Sequence, residues 1–166
     1  MISDLLLLEF DEEVKKTRAM LERVPMKEDF KPHPKSMPLG KLAPHVAELG
    51  GFGLTILTTP ELDLSNAPRT RPAFESPQQL AKAFDDGAAK VRQTLKNTPD
   101  EAWTQNWKLT FHGKPIFSGT RFVAYRQMFL NHLVHHRAQL GVYLRLNDAP
   151  LPATYGPSAD DSMGFS

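Results

Sequence analysis

NHLVHHRAQL, residues Asn131 to Leu140, packs three of the chain's six histidines into five consecutive positions, His132, His135 and His136. Around it Tyr125, Phe129, Leu133, Leu140 and Tyr143 recur at spacings of three and four. That period reads as an amphipathic helix from about Arg121 to Leu146 that turns one stripe into a core. His132 and His136 fall on this stripe. Four residues apart, they stand about 40° apart around the axis and roughly 6 Å along it, so both imidazoles can reach one ion. His135 lies nearer Met128 and Val142, at the edge of the stripe, and is left outside the pair.

The same period recurs upstream. Leu7, Phe10, Val14 and Leu21 line a first helix from about Ser3 to Val24. Pro25, Pro32, Pro34 and Pro38 then enforce a loop, because the residue before a proline avoids helical geometry. A second helix starts near Pro38 and reaches about Thr58, with Leu42, Val46, Leu49, Phe52, Gly53 and Ile56 inward. His45 shares that stripe, and Pro44 before it must open or kink the helix. Thr59 to Glu75 has no helical period and reads as a long crossover.

Ser76-Pro77-Gln78-Gln79 is a capping box with proline at the first helical position. The helix it opens carries Leu80, Phe84, Ala88, Val91 and Leu95 inward and stops at Asn97. Thr98-Pro99-Asp100-Glu101 starts a single further turn. Between Asn106 and Thr120, alternating apolar and polar residues flank His112-Gly113, which predicts a small hairpin. The expected fold is therefore all-α: one domain over residues 1–166, a four-helix bundle with long crossover connections and a β-hairpin before the last helix. Residues 150–166 form a proline-rich, extended tail.

Composition bounds the chemistry. Apolar residues make up 40% and charged residues 23%, which is ordinary globular usage. A net charge of +1 from scattered basic residues leaves no electrostatic footprint for nucleic acid. Cysteine is absent, so disulfides, thiolate ligands and a cysteine nucleophile are excluded together. The short apolar run in MISDLLLLEFDEE has acidic flanks rather than the basic start of a secretory leader. No stretch approaches the roughly 20 apolar residues that span a bilayer. A soluble, cytoplasmic protein is the expectation.

The histidines carry what functional signal remains. Two inward imidazoles need partners, since a dry unpaired nitrogen costs a few kcal/mol. His45 is the other histidine placed on an inward helical stripe. Three neutral imidazoles around one divalent cation, with further positions open, is the donor set of catalytic zinc sites, and nickel suits the same ligands. By periodicity alone, a satisfied structural histidine cluster reads equally well. His132 is followed by leucine rather than glutamate, so the zincin pattern is absent. Arg137 and Gln139, flanking His136, are candidates to orient it from behind. His33 and His112 fall in loop and turn positions and read as surface residues.

A histidine early in the second helix, then NHLVHHRAQL, then YLRLNDAPLPATYGPSADD, closely resembles the DinB/YfiT-like superfamily of bacterial four-helix bundles. The resemblance spans nearly the whole chain. It is most specific in the histidine pair followed by Arg137 and Gln139, and in the tail. It implies one divalent metal, nickel or zinc, on His45, His132 and His136, with His135 in a non-ligand slot. Ala138 stands where the family often has glycine, a change that favours helix. The resemblance further implies a homodimer and a small-molecule substrate. It also implies a metal-dependent enzyme such as a transferase or isomerase that uses a low-molecular-weight thiol; a metal that lowers the pKa of a bound water would equally allow a hydrolase. With no cysteine in the chain, that thiol has to arrive with a cofactor. No DNA binding follows from the DinB name. The alternative from a different class is a non-catalytic, metal-stabilised bundle that binds a ligand or partner.

Overall fold

The computed structural model describes residues 1–66 and 73–164. Among them the chain is mostly helical with a small three-stranded sheet. Helix α1 spans Ile2–Leu21, α2 Leu39–Thr58 and α3 Pro77–Lys96. The short helix α4, Asp100–Thr104, is the single turn expected after Asn97. The C-terminal helical stretch begins as α5, Arg121–Ala124, widens into a π-helical segment over Tyr125–Leu130, and continues as α6, Asn131–Arg145. None of the helices described is long and apolar enough to cross a membrane.

Helix α3 follows its sequence signal closely. The Ser76 hydroxyl accepts the Gln79 N–H at 3.3 Å, and the Gln79 side chain reaches back to accept the Glu75 N–H at 2.9 Å. That is a capping box displaced by one residue. Leu80, Phe84, Ala88, Val91 and Leu95 are all buried. In α2 the helix runs through Pro44 without ending, and of the predicted inward stripe Leu42, Val46, Leu49, Gly53 and Ile56 are buried while Phe52 is half-buried.

Helix α1 departs from expectation. Its buried line runs through Ser3, Leu6, Phe10, Glu13, Thr17 and Met20, while Leu7 and Val14 are half-buried. Three polar residues therefore replace the leucine and valine that hydrophobicity favoured. Each has a partner that removes the cost of burial. Ser3 donates to the Thr98 carbonyl at 2.7 Å and accepts from Trp103 Nε1 at 2.9 Å. Glu13 and Thr17 meet an arginine of α6.

The expected hairpin is present: β2, Asn106–Phe111, pairs antiparallel with β3, Lys114–Thr120. His112 and Gly113 both have positive φ, 49° and 71°, as a two-residue turn of the primed kind requires. The crossover reading needs correction. Glu61–Asp63 forms a strand, β1, parallel to β2 and opposite Lys108 to Thr110. Three residues are too few to show a strand period, and only the open edge of β2 makes them one. Residues 67–72, the middle of that crossover, lie outside the described residues.

Two apolar clusters fill the interior. One holds Leu21, Leu42, Val46, Leu49, Phe84 and the α6 residues Leu133, Leu140 and Leu144. The other gathers Phe10, Ile56, Trp103, Trp107, Tyr125, Phe129 and Leu130. The C-terminal helical stretch passes from the second to the first between Leu130 and Leu133. His132 stands at that crossing.

Candidate metal centre

His45 on α2 meets His132 and His136 on α6. One nitrogen of each ring lies within 4.8 Å of the others, and all three residues are half-buried. The Nε2 atoms of His45 and His132 are 3.5 Å apart. Ring centroids are 5.3 Å apart for His45 and His132, 4.5 Å for His45 and His136, and 4.6 Å for the α6 pair. Two nitrogens about 2.1 Å from one tetrahedral cation lie about 3.4 Å apart, so the 3.5 Å separation fits a shared ion.

Second contacts decide which nitrogen faces inward on α6. His132 Nδ1 lies 3.2 Å from the Met128 carbonyl, and His136 Nδ1 lies 2.8 Å from Gln139 Oε1. Both partners are acceptors, so each Nδ1 carries its proton and donates, leaving the Nε2 lone pair for a ligand. The Met128 carbonyl lies within the π-helical segment, whose wider turn is closed by the Asn131 N–H on the Arg126 carbonyl. Such segments recur at functional sites because they redirect the residues that follow.

Electrostatics favour the same protonation state. Burial, with the neighbouring His136 and His135 rings, lowers the pKa of His132 below its ordinary value. Burial and His135 do the same for His136, against the raising effect of the Gln139 bond. Neutral imidazole is the form that ligates. Among the described residues the three-residue group contains no carboxylate, so its own donors would leave the charge of a divalent cation unneutralised. Anionic or soft donors on a substrate would then be favoured at the remaining positions.

The predicted second ring of residues divides. Gln139 holds His136. Arg137 does not: it is one residue on, about 100° around the helix, and its guanidinium turns to α1 and the tail. His135 is exposed, with its ring centroid 4.8 Å from that of His136 and outside the three-residue group. His33 and His112 are exposed and outside the three-residue group. The Met128 carbonyl had no signal in the sequence, since any residue type supplies one.

Comparison with known proteins agrees with this arrangement at the level of family and fold. A crystallised DinB-like protein from Bacillus cereus ATCC 10987 superposes with a TM-score of 0.67 at 19% identity, covering 90% of this chain and 95% of that one. A DinB-like protein from Bacillus subtilis, YjoA, gives 0.65 at 20% identity, covering 90% and 96%. No curated protein matches the chain. The sequence profile of the DinB superfamily matches residues 9–140, from the first helix through His45 and all three histidines of α6, and the chain belongs to that superfamily.

Proposed function

We propose that the protein is a metal-dependent enzyme of the DinB class, its four long helical stretches forming a four-helix bundle around a three-histidine site for nickel or zinc. The observation that carries this reading is the convergence of His45, His132 and His136 from two helices onto one point. When bound, the metal supplies Lewis acidity toward an oxygen or sulfur donor. The chain's own residues do the rest. Met128 and Gln139 hold the α6 rings in their ligating tautomer. Half-burial limits water around the rings and keeps them neutral. Among the described residues no fourth histidine or carboxylate joins the donor group, which supports an open, reactive site over a closed structural one.

The donor set favours transfer to or from a low-molecular-weight thiol over hydrolysis. A thiol is a soft donor that ionises on coordination and needs no carboxylate base nearby. We further propose a homodimer acting on a small-molecule substrate, for which light scattering is the check on assembly.

Elemental analysis of untagged protein tests the site. We expect about one equivalent of metal in the parent chain and none in His132→Ala. Full stoichiometry in that variant would remove the proposed centre. A screen of the loaded protein with biological thiols and electrophilic acceptors then separates an enzyme from a metal-stabilised binding module. Turnover with no pair would leave the binding reading in its place.

A further inference from the structure

The turn of α6 that carries His136 has a single buried anchor, and it is charged. Between Leu133 and Leu140, Arg137 is the one buried residue, 2% exposed; His135, Ala138 and Gln139 are exposed, and Val134 and His136 are half-buried. Arg137 occupies the middle of the stripe Leu133, Arg137, Leu140 and Leu144, where an apolar side chain is the ordinary choice. What orients this turn is therefore whatever holds the guanidinium.

Two elements remote in sequence hold it. From α1, Glu13 Oε2 lies 2.6 Å from Arg137 Nη1, which also donates to the Thr17 hydroxyl at 3.2 Å and the Glu13 carbonyl at 3.3 Å. From the tail, the Tyr155 hydroxyl accepts from Arg137 Nη2 at 2.8 Å and donates to Glu13 Oε2 at 2.8 Å. The three groups close a ring of bonds in which each satisfies the other two. The Tyr155 ring also lies under the Lys16 ammonium, 4.6 Å from its centroid. Removing one partner from a buried ion pair costs more than the pair contributes, because the remaining charge is stranded.

We propose that Glu13, Arg137 and Tyr155 are positioning residues for the metal ligands, with the docked tail setting the rotation of α6 and hence where His136 presents its nitrogen. This rests on the metal reading above. Tyr155 bonds to Arg137, the next residue after His136, and acts through it. The tail has a second attachment that does not involve Arg137: Asp160 accepts from Arg145 at 2.6 Å and from the Leu151 N–H at 2.8 Å. The two attachments allow tail docking in general to be separated from the Arg137 ring in particular.

The test compares Tyr155→Phe with Asp160→Asn in the full chain, by calorimetric titration with nickel and by thermal melting. Both variants should melt lower than the parent. Tyr155→Phe should bind nickel about tenfold more weakly, as loss of an outer orienting contact does elsewhere, while Asp160→Asn binds as the parent does. In the metal-free proteins the ring-nitrogen resonances of His136 should shift in the first variant and stay in place in the second. Parental affinity in Tyr155→Phe, or equal weakening in both variants, would overturn the positioning role and leave a merely structural one. Failure of the parent chain itself to bind nickel or zinc would instead remove the metal reading. Unmoved His136 resonances in Tyr155→Phe would then count separately against the positioning.

Discussion

Two hydrogen bonds select the nitrogen that each imidazole of α6 offers, and one of them can be deleted cleanly. Gln139 is exposed, so Gln139→Ala removes the acceptor on His136 Nδ1 with little effect on packing. Metal affinity should fall by about tenfold while the melting temperature of the metal-free protein holds; unchanged affinity would mean that His136 needs no orienting partner. The lowered pKa values of His132 and His136 set a pH dependence. In the unfolded chain these rings take up protons near the ordinary value of 6.5, but in the native protein only at lower pH. The unfolded state then binds more protons, so stability of the metal-free protein declines as pH drops below about 6.5 and levels off beneath the native pKa values. Protons and metal compete for the same lone pairs, so affinity should decline over the same window. Titrations from about pH 8 to about pH 5 check both, and an affinity independent of pH would exclude histidine ligation.

Helix α2, which carries His45, approaches α3 along glycines. A Cβ on Gly87 would lie 2.6 Å from the Gly51 nitrogen and 2.9 Å from the Gly50 carbonyl carbon, and one on Gly50 would lie 2.6 Å from the Phe84 carbonyl oxygen. These are backbone atoms and cannot step aside, so any side chain pushes the helices apart. Gly87→Ala should therefore destabilise the fold by about 1–3 kcal/mol in a denaturant titration, despite the better helix propensity of alanine. A gain in stability would show that the close approach is dispensable. On the other side of the site, buried Arg121 donates to the carbonyls of Ile56 and Leu57 at 2.9 and 2.6 Å, fastening the start of α5 to the end of α2. The π-helical segment Tyr125–Leu130 lies between that clamp and His132.

Across the molecule, the interior is built without the histidines. Both apolar clusters are made of Leu, Ile, Val, Met, Ala, Phe, Trp and Tyr side chains. The metal should thus add to stability by mass action rather than create the fold, worth about 2.7 kcal/mol at a hundredfold excess over its dissociation constant. For a chain of this size that corresponds to a melting temperature about 5–10 °C lower after chelation. The far-UV circular dichroism at room temperature should not change. Loss of helical signal on chelation would make the metal a folding element instead.

Periodicity was enough to read α2, α3 and most of the inward stripe of the C-terminal helix, because most of their buried positions are apolar and regularly spaced. It placed the hairpin as well, since His112-Gly113 is a local turn signal. Spacing within α6 put His132 and His136 on one side of a helix, the inward stripe of α2 offered His45 as the third, and the resemblance implied the same three. What lay beyond the sequence was every feature whose partner comes from elsewhere in the fold. Glu13 and Thr17 displaced Leu7 and Val14 from the buried line of α1 because Arg137 waits opposite them. Arg137 left His136 for the same reason. Residues 61–63 became a strand only beside β2. A polar side chain is buried when a partner removes the desolvation cost, and no local pattern reveals a partner some 120 residues away.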